Sequence, residues 1–298
     1  MSFDDISAAF DQPMQVGECP LWNPIEKKLY WVDIDGRAVH RLDPASGEHT
    51  AWTMYSQPSA IAINAAGGLV VAQRNGIALL DTASGAVTTL VTAPYDTATM
   101  RFNDGRVDPA GRFWIGGRDE AADRQQGEMY VLERGLLRAH WPGTMKNSNG
   151  LGFSPDGRRM YHTDTATHRI DCYDFDPATG AASNKRTFHQ FDTDKSAPGY
   201  GGRPDGAAVD SEGNYWCAMF EGGRVLCLSP EGQLLREVNL PVRCPTMLAF
   251  GGDDLRTLYI TTASHGRSAE ERAQYPLTGC VLSLRVDTPG RPEPAYQP

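Results

Sequence analysis

The chain has 298 residues, 40% of them hydrophobic, enough to bury a core without disulfides or metal merely to hold it together. Its formal net charge of -9 argues against a nucleic-acid or anionic-membrane partner, since both need a basic surface. The opening MSFDDISAAF is acidic and lacks a long apolar run, so no signal peptide and no transmembrane span are expected, and the chain is read as cytoplasmic.

One short pattern recurs six times along the chain: LYWVD (29–33), GLVVA (68–72), RFWIG (112–116), MYHTD (160–164), NYWCA (214–218) and LYITT (258–262). Each copy is rich in aromatic or β-branched residues, as strands are. Most follow a turn signal of Asp, Asn, Pro and Gly, such as DPAG (108–111), SPDG (154–157) and DSEG (210–213). The second residues of the copies are Tyr30, Leu69, Phe113, Tyr161, Tyr215 and Tyr259, separated by 39, 44, 48, 54 and 44 positions. A period of that length, built from strand and turn alone, predicts an all-β, six-bladed β-propeller with a central channel. Further turn signals at 43–47, 81–85 and 176–180 fit hairpins between outer strands. No amphipathic helix of ten or more residues stands out. No linker or low-complexity run divides the chain, so one domain over 1–298 is expected. Cys19, Cys172, Cys217, Cys227, Cys244 and Cys280 show no CxxC pair or zinc-ligand spacing and are read as free thiols.

If the recurring pattern is the second strand of each blade, the innermost strand begins 10 to 13 residues earlier. That reading selects Glu18, Ser59, Asn103, Asn149, Asp205 and Thr246. All six are polar, and equivalent repeat positions bring them to one end of one channel. Two carboxylates and two amides there offer hard oxygen ligands for one divalent metal ion, whether Ca, Mg, Mn, Zn or Fe(II). The plainer alternative, polar residues capping strand ends, stays open for each position taken singly.

At these residues the chain resembles the SMP-30/gluconolactonase/regucalcin family, and within it the bacterial sugar-acid lactonases of xylonolactonase type. The resemblance runs nearly end to end and rests on GECPLW (17–22), RFNDGRVDPAGRFWIGG (101–117), SNGLGFSPDGRRMYHTDT (148–165) and RPDGAAVDSEGNYW (203–216). It implies that Glu18, Asn149 and Asp205 bind the metal and that Arg101 and Asn103 contact substrate. It also implies that Glu120 in GGRDEA (116–121), or Asp119 beside it, meets the sugar. The loop that follows, AADRQQGEMY (121–130), falls where that family varies.

The function so implied is hydrolysis of a sugar-acid lactone, either an aldonolactone or an aldarolactone. A metal polarises the carbonyl, a channel water attacks, and Asp205 takes the proton. Asp205 as a mere ligand to a metal that acidifies water is the open alternative. No GxSxG elbow and no HExxH cluster compete. His162 reads as a packing or hydrogen-bonding residue, His265 as exposed, and strand alternation should turn Cys19 away from the channel. Arg203 and Arg243 lie two and three residues before channel positions, and Lys146 three before Asn149. They suggest a positive rim for an anionic substrate, with ordinary solvated loop cations as the alternative. Esterase or organophosphate hydrolysis at the same metal, and a non-catalytic Ca-binding propeller, are the competing functions. A monomer or weak homodimer is expected.

Overall fold

The computed structural model describes residues 5–121, 123 and 126–298, with 142–144 described by backbone alone. Residues 1–4 of the acidic opening stretch, and 122, 124 and 125 of the loop after Glu120, therefore lie outside the described residues. Among the described residues, strand β1 (Ser7–Phe10) precedes blade one, made of β2 (Gly17–Asn23), β3 (Lys28–Asp33), β4 (Ala38–Leu42) and β5 (His49–Thr53). Blade two is β6 (Pro58–Ile63), β7 (Leu69–Gln73), β8 (Gly76–Leu80) and β9 (Val87–Thr92). Blade three is β10 (Met100–Val107), β11 (Phe113–Asp119), β12 (Gly127–Glu133) and β13 (Leu136–Met145). Blade four is β14 (Ser148–Phe153), β15 (Arg159–Asp164), β16 (Arg169–Asp176) and β17 (Ala181–Gln190). Blade five is β18 (Arg203–Val209), β19 (Tyr215–Phe220), β20 (Arg224–Leu228) and β21 (Leu234–Asn239). Blade six is β22 (Pro245–Gly251), β23 (Thr257–Thr262) and β24 (Val281–Arg285), and β1 completes it as the outermost strand. Every recurring pattern read from the sequence is thus a second strand.

Burial falls from the axis outward. Strands β2, β10, β14 and β22 are buried along their whole length, whereas β17 and β21 are mostly exposed. The second-strand aromatics fill the space between blades. Tyr215 lies 4.9 Å from Tyr161 between ring centroids, and its hydroxyl donates to Gly150 O at 2.7 Å. Apolar ring area enters the interface while the one polar atom keeps a partner.

The turn signals have a structural reason. Asp108 and Asp210 are fully buried, and each caps its turn by accepting backbone N–H bonds from residues two and four ahead. Each also accepts the indole N–H of the tryptophan six ahead, Trp114 or Trp216, at 2.9 Å. One carboxylate therefore ties turn to strand and leaves no buried charge bare.

The ring closes by pairing the first strand with the last, Ser7 opposite Ser283 and Ala8 opposite Leu282. The C-terminal tail crosses the far end of the channel. There Glu293 pairs with Arg106, and farther along the tail the buried Tyr296 accepts, at its hydroxyl, the N–H of Gly135 in the β12–β13 turn at 2.8 Å. The helical structure includes a six-residue α1 (Ala269–Gln274) and a 3-10 turn (Thr165–Thr167). Among the described residues no helix is long and apolar enough to cross a membrane. All six cysteines are buried and unpaired.

Candidate active site at the channel mouth

Each innermost strand breaks register against its neighbour at the same place. The breaks lie between Glu18 and Leu21, Pro58 and Ala60, Phe102 and Gly105, Asn149 and Gly152, Pro204 and Ala207, and Pro245 and Met247. Each break inserts one extra residue, the definition of a β-bulge, and a bulge re-aims the side chains around it. The six polar positions read from the repeat all sit at or beside these bulges. In blade one the bulge holds Cys19 at φ 45°, a left-handed conformation that costs a non-glycine residue about 1–3 kcal/mol. Its thiol turns toward blade two, where Ile61 N–H donates to Sγ at 3.2 Å, and burial pushes it up to about 12. Cys19 is absent from the cavity at the mouth but lines a smaller one beneath it with Arg106 and Glu293, and the bulge rather than simple alternation turns it.

Blade four uses glycine at the matching position. Gly150 has φ 61°, and a Cβ there would lie 2.5 Å from the Tyr215 hydroxyl. Gly150→Ala is expected to destabilise the fold by about 2–4 kcal/mol through backbone strain plus overpacking, and to displace Asn149. A wild-type midpoint in urea unfolding would refute this.

The bulges open a cavity of about 230 Å³ lined by Glu18, Arg101, Asn103, Asn149, Asp205 and Thr246 from the innermost strands. Ser59 is buried but is not among the lining residues. The amides are held by a relay. Asn149 Nδ2 donates to Thr165 Oγ1 at 2.7 Å, Asn103 Nδ2 donates to Asn149 Oδ1 at 2.8 Å, and an Arg101 Nη donates to Asn103 Oδ1 at 2.6 Å. This orients the Asn149 carbonyl oxygen and leaves it a free lone pair. Glu120 sits outside the cavity lining. Its carboxylate accepts from Arg101 at 2.9 Å and Arg74 at 3.0 Å, so it reaches the site through Arg101. The neighbouring Asp119 is buried and carries contacts of its own.

Glu18 and Asp205 are both buried, 8% and 7% exposed. Glu18 accepts one backbone N–H, from Cys19 at 3.1 Å, and the Asp205 carboxylate has no hydrogen-bond donor among the described residues. Burial raises both carboxyls, and mutual repulsion, with Asp104 adding to it, raises Glu18 further. Asp104 is a third buried carboxylate that the repeat did not single out. It shares the blade-three bulge with Asn103, accepts Leu151 N–H at 2.9 Å, and keeps Oδ1 unpartnered. Two buried carboxylates without an ion-pair partner among the described residues and a pre-oriented amide oxygen, lining one small cavity, offer an all-oxygen donor set that suits a hard divalent cation. Among the described residues no group of three His, Cys, Asp or Glu is placed to hold a metal, so such a set has to include the amide.

The expected basic rim is redistributed. Arg203 lines the cavity and pairs with Glu221 at 3.1 Å. Lys146 does not line it, and Arg243 is bound to Glu271 of α1 at 3.2 Å on the surface. Arg118, Asn147 and His265 line it without having been selected from the sequence. Arg118 and Asn147 fall outside the innermost strands, where the repeat alignment looked. His265 is 65% exposed, as expected, yet reaches the mouth and pairs with Asp35 at 2.9 Å. His162 is buried against Ser148 Oγ at 2.9 Å and pushed down to about 4, so it is a neutral structural hydrogen-bonding group.

Residues 16–264, which span all of these positions, match the SMP-30/Gluconolactonase/LRE-like region. The chain belongs to this family. Within the family it is 46% identical over 285 residues to a 6-deoxy-6-sulfogluconolactonase of Pseudomonas putida, covering 96% of each chain. It is 34% identical over 292 residues to regucalcin of Gallus gallus, covering 95% of each. Its fold superposes on a calcium-binding regucalcin of Agrobacterium tumefaciens with TM-score 0.90 at 29% identity, over 97% of this chain and 96% of that one.

Proposed function

We propose that this protein hydrolyses the ring ester of a sugar-acid lactone, using a divalent cation held by Glu18, Asn149 and Asp205. The observation that carries the proposal is the pair of buried carboxylates, Glu18 with a single backbone donor and Asp205 with none among the described residues, beside the oriented Asn149 amide. A bound cation would offset their repulsion and polarise the lactone carbonyl. The remaining work falls to side chains. Asp205 accepts a proton from the attacking water as the new C–O bond forms, and returns it to the ring oxygen as the ester C–O bond breaks. Arg101 and Asn103, locked together at 2.6 Å, position the sugar hydroxyls. Val16, Ile34 and Phe220 form an apolar wall that limits bulk water.

The 46%-identical relative is named for a gluconolactone bearing a sulfonate, so neutral and charged lactones both belong to the class. The small cavity, about 230 Å³, disfavours bulky aryl esters and organophosphates. The second reading is a calcium-binding scaffold, since the Agrobacterium neighbour is a calcium-binding protein. Proton release from a lactone panel, corrected for spontaneous opening, separates the two. Turnover lost on chelation and restored by one of several divalent metals is expected. No turnover above background with any metal, despite cation binding, would favour the scaffold.

A further inference from the structure

Among the described residues lining the cavity, three keep a buried polar atom without a hydrogen-bond partner: Arg118 at Nε, Asn147 at Oδ1 and Arg203 at Nε. They belong to consecutive blades, with Arg118 near the end of β11, Asn147 just before β14 and Arg203 opening β18. Arg118 and Asn147 are bridged through their backbones. Arg118 also stands directly opposite Arg101 in the β10–β11 register. Like charges directly opposite destabilise a sheet, and each lowers the other's affinity for its proton. Arg101 is indeed held down at about 10, first by burial and then by Arg118. Asp205 attracts Arg203, Arg118 and Arg101 through space, but no carboxylate lies at ion-pair distance from Arg118 among the described residues. Glu120 serves Arg101 and Arg74, and Glu221 serves Arg203.

We propose that Arg118 and Arg203, with Asn147 between them, form a subsite for a permanently ionised sulfonate or carboxylate at the end of the lactone remote from its reacting carbonyl. The inference rests on the lactonase reading for the word lactone alone. A planar guanidinium fork suits both oxyanions, and Arg118, which has no carboxylate at ion-pair distance among the described residues, supplies the positive charge that draws them in. Asn147 Oδ1 accepts from a sugar hydroxyl next to the anion.

The test compares kcat/KM for gluconolactone, its 6-deoxy-6-sulfonate and glucarolactone at fixed ionic strength. The charged lactones are expected to be preferred at least tenfold. Arg118→Gln and Arg203→Gln should each cut that preference by about 10–100-fold, the worth of a charge-assisted hydrogen bond, with Arg118→Lys partly restoring it. Arg243→Gln, outside the cavity, should leave it unchanged. Preference for the sulfonate alone or for both anions identifies the source. Rates equal within threefold for all three lactones, unmoved by Arg118→Gln, overturn the subsite and leave the lactonase reading standing. If no lactone is turned over, calorimetric binding of the ring-opened sulfonate against gluconate decides. Tighter sulfonate binding that Arg118→Gln or Arg203→Gln removes keeps the subsite without the lactonase, and equal binding refutes it.

Discussion

Asp205→Asn is expected to lower kcat/KM for sugar-lactone hydrolysis by about 10³-fold or more while the propeller stays folded. The substitution keeps the shape and removes the proton acceptor, which by itself is worth about 10²–10⁴-fold. It also removes one oxygen ligand and one charge from the proposed cation site. The same change should raise the melting temperature of chelated protein, because the buried Asp205 carboxylate lies beside Glu18 and near Asp104 without a donor of its own. Activity lost and stability gained together mark a carboxylate retained for chemistry. Activity within tenfold of wild type would exclude Asp205 as the base. A melting temperature several degrees lower would make it a structural cap instead.

Stability of chelated protein should also depend on pH with a definite sign. Burial holds Asp104 up at about 6 and Asp205 up at about 7, against about 3.9 for an unfolded aspartate. A carboxyl whose folded pKa is raised binds its proton more tightly in the native state. Its contribution is full below the unfolded value and is lost as pH rises through the folded one. His40 and His162, held down at about 4 by burial, titrate in the opposite sense below about 6.5. They are common to wild type and Asp205→Asn, so the difference between the two proteins isolates the site. In chelator, wild type should fall below the variant by about 5 °C between pH 5 and pH 8. A millimolar divalent cation should close that gap at pH 8. A difference flat with pH, or a cation without effect, would remove the carboxylate pair as the seat of the repulsion.

The two larger expectations rest on residues that were legible in different degrees. Glu18, Asn103, Asn149 and Asp205 could be found because each lies 10 to 12 residues before the second residue of a recurring strand, and repeat spacing is a local property. The same holds for Asp108 and Asp210, whose turns and tryptophan partners lie within six residues. Turn chemistry and strand composition therefore determined the blade number, the second strands and five of the six channel positions, Ser59 being the exception.

Other features depend on contacts between segments far apart in the chain. The bulges that aim the polar side chains arise from pairing with the next strand, and simple alternation misses them. Arg118 matters because it lies opposite Arg101 and lines the same cavity as Arg203, 85 residues later. Arg243 leaves the rim because Glu271 of α1 holds it. Closure by β1 on β24 joins residues about 275 apart. Sequence spacing by itself determined the ring of positions. Only the tertiary structure decided which charges are paired and which are left facing the cavity, because pairing across blades is set by ring closure rather than by neighbours along the chain.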